Sequence, residues 1–468
     1  MLVLAICCLS LLIVSMDVTI VNVALPSIRA DLHASVSGLQ WTVDAYVLVV
    51  ASLLMVSGST ADRIGRRRTF QAGLILFTIG SLLCSIAPSL GWLVVFRMVQ
   101  AVGGSMLNPV AMSIITNVFT EPRERARAIG VWAGVAGLGL GLGPVFGGLL
   151  TETVGWRAIF WINVPIGLIA FVLAARFVPE SKAEQTRRPD PVGQSLVLLA
   201  LAGLTYAIIE APQAGWTSIQ TVGLAVLSLA AAVVLLCYEP RRTDPLLELR
   251  FFRSVPFSGA TVIAVCAFGA FAGFLFLNTL YLQEVRGLSA LQAGLCTLPL
   301  ALMMLIFAPL SGRLVGSRGP RIPLVVAGTA MCTGALMLVP LDAGTSLGWV
   351  LASYIVFGIG FGLVNAPITN AAMSGMPRGQ AGVAAAIAST SRQIGAAIGL
   401  AVIGSVLNSG LHGPIKDGFS AASRPAWWVV AGTGLIVLSL GVLTSGRWAL
   451  STEARIADPS SVLSDVSG

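Results

Sequence analysis

Long apolar runs, nearly free of charge, follow one another along almost the whole of this chain, with short charged links between them. A run of about 20 residues lets a helix cross a bilayer core of roughly 30 Å. Membrane strands would give shorter segments of alternating polarity, so the runs predict helices. Only 10% of the residues are charged and 56% are hydrophobic, whereas a soluble domain carries about 25% charged residues. The chain therefore reads as an all-α integral membrane protein. Fourteen spans are expected, near residues 3–24, 39–60, 70–88, 91–117, 127–150, 156–178, 192–210, 218–237, 256–282, 291–313, 321–340, 346–368, 381–407 and 425–446. The first is read as a span rather than a signal peptide, because it carries Asp17 and no small-residue cleavage site.

The sidedness of Lys and Arg checks this count. With both termini inside, 21 of the 28 basic residues fall in inner links and ends. Arg29, Arg157, Arg286, Lys416 and Arg424 fall in outer links, while Arg97 and Arg392 lie within spans. Basic links are retained in the cytoplasm, so the asymmetry supports fourteen spans with both termini cytoplasmic. It also accounts for the net charge of +8 without a nucleic-acid partner. Trp41, Trp92, Trp156, Trp216, Trp349, Trp427 and Trp428 fall near outer ends, where an interfacial aromatic belt belongs.

Several functions are excluded. The seven Cys lie inside apolar runs without metal-ligand spacing, and His33 and His412 are far apart, so no metal and no cofactor is expected. No G-x-x-x-x-G-K-[ST] loop and no soluble domain could host a nucleotide. No paired nucleophile and base suggests an enzyme.

The link at 58–68, GSTADRIGRRR, packs five charges between two spans. Gly58 would let backbones approach and Gly65 would allow a turn that other residues resist. Asp62 could then latch onto a nearby Arg or a neighbouring helix end, with Arg63, Arg66 and Arg67 beside it. A degenerate copy, GRLVGSRGPR at 312–321, repeats Gly58, Gly65 and Arg67 as Gly312, Gly319 and Arg321. Each copy follows the second helix of a group of six, which suggests two parallel bundles. The expected organisation is a first bundle at 1–180, an inserted two-helix hairpin at 181–250, a second bundle at 251–446 and a cytoplasmic tail at 447–468.

Charges inside spans carry the chemistry. Asp17, Asp44 and Arg97 lie at similar depths in three spans of the first bundle. A charge in the bilayer costs at least about 2.5–3.5 kcal/mol, so such residues face a partner or a water-filled cavity. The group is either a proton-titrating site or an ion pair that locks helices. In the fifth span, Gly134, Gly137, Gly141 and Gly148 recur at helical spacing and offer a face for close contact. The break at Gly143 and Pro144 reads as a hinge. Arg392 and Gln393 lie within the thirteenth span. Together with Asn22, Tyr46, Gln100, Asn108, Asn278, Tyr281 and Asn365, they are candidates to line a substrate cavity. Each could equally be polar glue between helices.

These motifs resemble the major facilitator superfamily and, within it, the fourteen-span drug:proton antiporters of the DHA2 group. DVTIVNVALP at 17–26 resembles that group's first-helix signature, and WTVDAY at 41–46 its second-helix sequence. Residues 58–67 resemble the superfamily loop motif, RMVQAVGG at 97–104 its proton-coupling motif, and 134–148 its antiporter motif. SRQIG at 391–395 resembles a late-helix signature of the group. The resemblance implies a major facilitator fold of two six-helix bundles plus an inserted hairpin. It also implies alternating access and proton-driven export of amphiphilic small molecules, such as antibiotics or metabolites, from a bacterial cytoplasmic membrane by a monomer. It makes Asp17 the leading protonation site, with Asp44 the other candidate, Arg97 a coupling residue and the Asp62 loop a conformational lock. Arg392 stands where exporters of strongly cationic drugs often carry acids, which favours neutral, zwitterionic or anionic substrates. A proton-coupled uptake symporter and a non-transporting sensor remain as alternatives.

Overall fold

The computed structural model describes residues 1–182, 190–242, 248–373 and 381–446, with a few isolated positions beyond them. The expected tail at 447–468 lies almost wholly outside the described residues, as do parts of the links around the expected hairpin. No strand occurs among the described residues. The helices are α1 (Leu2–Leu32), α2 (Val36–Ile64), α3 (Arg66–Ser85), α4 (Leu90–Val118), α5 (Pro122–Thr153), α6 (Ala158–Trp161), α7 (Asn163–Phe177), α8 (Pro191–Ala214) and α9 (Ile219–Tyr238). They continue as α10 (Val255–Leu280), α11 (Ala290–Cys296), α12 (Leu298–Arg318), α13 (Arg321–Leu336), α14 (Leu347–Met373), α15 (Ala381–Gly410) and α16 (Ile415–Leu443). Helices are what lipid permits, because each satisfies its own backbone polar groups.

Thirteen helical segments are long and apolar enough to cross a membrane, among the described residues. The eleventh expected span is shorter than its apolar run. α13 has 16 residues, about 24 Å at 1.5 Å each, and the chain turns at 337–340. Pro340 disfavours helix at the residue before it. Two other expected spans are broken. Pro165 has no N–H to donate to Trp161, and α6 ends there. Pro299 likewise falls just after the break at Thr297 between α11 and α12. The last span starts ten residues earlier than its apolar run, as α16 begins at Ile415 and continues through Pro425.

The same packing pattern occurs twice. Taking α6 with α7 and α11 with α12 as single spans, the first helix of each six packs on the fourth, fifth and sixth. The second packs on the fourth, and the third on the fourth and sixth, in both sets. α8 pairs with α9 and lies against α2 and α15. The backbone of the sequence repeat matches as well. Gly65 (φ 126°) and Gly319 (φ 79°) each separate a helix from an Arg-led successor, in a conformation that side chains rarely adopt.

The fifth helix packs through a different set of glycines from the expected one. A Cβ at Gly139 would lie 2.7 Å from Ser15 of α1, and one at Gly147 would lie 2.7 Å from the Ile20 carbonyl. Gly143 sits between them, against Thr19. Gly141 instead meets Ala301 of α12, and Gly148 meets Ala290 and Leu291 of α11. Gly134 and Gly137 have nothing within 4 Å of a Cβ, so they make no close contact. The reason is position. They lie on the half of α5 nearest the Gly65 turn, where the two sets of helices diverge. Gly58, Gly130, Gly312 and Gly316 are equally open, so Gly58 does not bring backbones together here. Pro144 lies inside a continuous helix.

Ties between the two sets gather at the opposite end, near the turn at His33. Arg29 Nη1 donates to Glu284 Oε1 at 3.1 Å, and Gln283 Nε2 to the Val23 carbonyl at 2.8 Å. Gln40 Nε2 donates to the Ala401 carbonyl at 3.1 Å, and the Leu291 N–H to Glu152 Oε2 at 3.2 Å. Among the described residues, the two sets are thus tied together at the His33 end and spread at the Gly65 end. The Trp residues expected in the belt differ in exposure. Trp92, Trp216, Trp349 and Trp428 are exposed, but Trp156 is buried, and Trp427 is fully buried edge-on to Phe274.

Candidate functional site

Asp17 on α1 and Arg97 on α4 form an enclosed ion pair. Arg97 Nη1 lies 2.5 Å from Asp17 Oδ2, and the two side chains are 1% and 0% exposed. Packing of α1 on α4 brings the two residues level, and the rest of the first set fills the shell. Gln100 Nε2 donates to Asp17 Oδ1 at 2.8 Å and to Ser81 Oγ at 2.6 Å. Gln100 Oε1 accepts from Arg97 Nη1 at 2.8 Å. Asn163 Nδ2 lies 3.2 Å from both Asp17 Oδ1 and Ser81 Oγ. Arg97 Nε donates to the Thr42 carbonyl at 3.2 Å. The Tyr46 ring lies 4.3 Å from the guanidinium carbon, and the Phe160 ring 5.7 Å from it. Five helices and the short α6 thus satisfy a charge pair that would be costly if left half-bonded.

A cleft with room of about 170 Å³ runs between the two sets of helices. Ser15, Asn22, Tyr46, Asn108 and Gln393 supply its polar positions, with Phe268 and Phe271 on the facing wall. Four of the expected cavity residues, Asn22, Tyr46, Asn108 and Gln393, line it. The other five do not. Gln100 belongs to the ion-pair shell. Asn278 lies one turn beyond Leu275 of the wall, toward the closed end, and is bonded to the Phe274 carbonyl of its own helix. Tyr281 falls in a π-helical turn (Tyr281–Val285) past the end of α10, and its hydroxyl donates to the Asp342 carbonyl at 2.7 Å. Asn365 lies on α14, which gives nothing to the wall. Arg392 sits behind Phe268, 5.9 Å from its ring, and Nη2 donates to Thr369 Oγ1 at 2.6 Å.

Asp44 does not join the pair. It is fully buried, and neither carboxylate oxygen has a hydrogen-bond partner among the described residues. Helical phase sets it on the side of α2 that faces α8 and α15, about 160° from Tyr46 at 100° per residue. On the α8 side, Trp41 Nε1 donates to Glu210 Oε1 at 2.8 Å, and Gln213 Nε2 to Ser37 Oγ at 2.9 Å.

The loop at the Gly65 turn is held from one direction. Asp62 pairs with Arg66 at 3.3 Å across the turn. Glu180, just beyond α7, accepts from the Arg67 N–H at 3.1 Å and lies 3.6 Å from Arg68 Nε. A carboxylate on the first N–H groups of α3 satisfies donors that the helix leaves free and meets the positive end of its dipole. Arg63 is exposed and makes no ion pair among the described residues. Sequence reasoning missed Ser81, Asn163, Thr42 and Glu180. Only the tertiary fold brings them to the site, and a lone hydroxyl or amide in a span is no signal by itself.

A helical membrane protein with a cleft between two like-built sets of helices, and a charge pair beside it, has the build of a transporter of small molecules. Residues 7–400 match the family model of the Major Facilitator Superfamily, and the chain belongs to that superfamily. It is similar to the multidrug resistance protein Stp of Mycobacterium tuberculosis, 38% identical over 87% of this chain and 76% of that protein. It is also similar to the tetracenomycin C resistance and export protein of Streptomyces glaucescens, 35% identical over 88% and 77%. The puromycin resistance protein of Streptomyces alboniger is 35% identical over 92% and 87%. Among solved structures, the human organic anion transporter MFSD10 superposes with a TM-score of 0.66 at 15% identity, over 94% of this chain and 99% of that one. These relatives support drug efflux by a multi-pass membrane protein and a transporter rather than an enzyme.

Proposed function

We propose that this protein is a fourteen-span, proton-coupled antiporter of the DHA2 type, which exports amphiphilic compounds by alternating access. The observation that carries this reading is the enclosed Asp17–Arg97 pair directly behind the cleft wall. A carboxylate one side chain away from a substrate can tie release of a proton to capture of a ligand, and protonation removes the charge that holds the pair together. With the basic Gly65 turn in the cytoplasm of a bacterial cell, the spread end of the molecule faces inward. Substrate enters there, the bundles at 1–180 and 251–446 rock, and a proton taken up from outside by Asp17 resets the pump. Asp44 is a second candidate for the coupled proton. The working unit is the monomer, and the hairpin at 181–250 braces α2 and α15.

Every polar group on the cleft wall is a neutral amide or hydroxyl, and Arg392 stands just behind it. Neutral, zwitterionic or anionic amphiphiles fit this lining better than dications. The names of two of these relatives make puromycin and tetracenomycin C the first compounds to try.

The test does not depend on how the protein inserts into vesicles. In proteoliposomes with one side acidified, an antiporter moves the compound toward the acid side as protons flow the other way. Movement away from the acid side would mean symport. A rate indifferent to the gradient would end the proton-coupled reading.

A further inference from the structure

Tyr46 is the one side chain, among the described residues, that belongs both to the cleft wall and to the shell of the ion pair. Asn22, Asn108 and Gln393 line the cleft but, among the described residues, make no hydrogen bond to the Asp17–Arg97 network. Gln100, Asn163 and Ser81 hold the network but do not reach the cleft. The Tyr46 ring therefore separates the substrate space from the buried acid.

Its seat is unusual. The side chain is 2% exposed, yet Oη has no hydrogen-bond partner among the described residues. The hydroxyl rests in a notch left by Gly104, where a Cβ would come within 2.5 Å of it. Shape and the attraction between the ring and the Arg97 cation hold it there, 4.3 Å from the guanidinium carbon. A buried hydroxyl without a partner is a standing cost, so a ligand competing for the same space can displace it.

We infer that Tyr46 is the partition through which substrate is sensed at the proton site. An amphiphile filling the cleft lifts the ring from the Gly104 notch. Arg97 then loses its aromatic cover, and Asp17 becomes reachable from the cleft. The ligand end that does this is flat and apolar or aromatic, matched to Phe268 and Phe271 opposite. A cation at that point would confront Arg97 in place of the ring, so the partition also selects against one. This inference rests on the proton-coupled reading above and deepens it.

The experiment measures access to Asp17 directly. The purified full chain is treated with dicyclohexylcarbodiimide, and labelling at Asp17 is located by mass spectrometry. Wild type should label slowly. Tyr46→Ala and Gly104→Ala should each label several-fold faster, and Tyr46→Phe, which keeps the ring, should label like wild type. The compound that moves in the vesicle assay should speed labelling in wild type and in Tyr46→Phe, and leave Tyr46→Ala unchanged. In vesicles, Tyr46→Ala should pass protons without substrate. Equal labelling across wild type, Tyr46→Ala and Gly104→Ala would overturn the partition even if transport stays proton-coupled. A wild type whose transport ignores the gradient would overturn the coupling instead, and the labelling would still report whether the ring seals Asp17.

Discussion

Asp17 and Arg97 are buried as a pair, and at this scale a pair can be a lock or a switch. Removing one partner of a buried ion pair leaves an uncompensated charge, at a cost of about 3–5 kcal/mol. Asp17→Asn should therefore lower thermal stability as well as stop proton-driven efflux. The neutral double variant Asp17→Asn with Arg97→Gln separates the two roles. It should recover much of the lost stability, measured by thermal unfolding in detergent, and still fail to couple transport to a proton gradient. Coupled transport by the double variant would make the pair purely structural. Asp17, Arg97 and Tyr46 were legible in the sequence, because a charge inside an apolar run stands out and the WTVDAY stretch resembles a known signature. Asn163 and Ser81 were not legible, since their role is the distance to an acid 146 or 64 residues away in the chain.

At the scale of elements, α5 divides into two halves. The half near the closed end is locked to α1 by Gly139, Gly143 and Gly147, while Gly134 and Gly137 face open space. A methyl group at Gly143 would overpack the contact with α1, which costs about 1–3 kcal/mol, so Gly143→Ala should lower the melting temperature. Gly134→Ala should leave it unchanged or raise it slightly, since Ala is a better helix former by about 0.8–1.0 kcal/mol. If the open half of α5 closes on the second bundle during transport, Gly134→Ala will slow turnover without loss of stability. Unchanged turnover would remove that half from the moving surface. The Gly65 turn makes a similar point. Its positive φ and the nearness of Glu180 both forbid a side chain, and glycine spacing foretold the first but not the second. Glu180→Gln should weaken the cap on α3 and slow transport more than it weakens substrate binding, as a split between maximal rate and half-saturation would reveal. An equal loss in both would reduce Glu180 to a folding role.

For the whole molecule, closure at the His33 end rests on few polar ties. The Arg29–Glu284 pair is about a quarter to a third exposed, and pairs of that kind contribute about 0–1 kcal/mol. Glu284→Gln should therefore shift the balance between conformations by no more than about fivefold. Spin labels at the exposed positions Val131 and Ser317, at the spread end, should give two distance populations whose ratio moves with that substitution and with added substrate. One fixed distance under every condition would rule out the rocking of one bundle against the other.

The residue string alone settled that the chain is helical, lies in a membrane, crosses it many times and carries charges where lipid would not tolerate idle ones. Those properties follow from composition and period, which every residue contributes to locally. It also announced the twofold repeat, since the glycine–arginine turn recurs. Only the folded chain decided which glycines touch and which face open space. It also set Asp44 apart from Asp17, and placed Tyr46 both on the cleft wall and against Arg97. Such matters turn on helical phase and on the crossing of segments remote in the chain. A rotation of one residue, 100° about a helix axis, moves a side chain from a cavity to a buried shell.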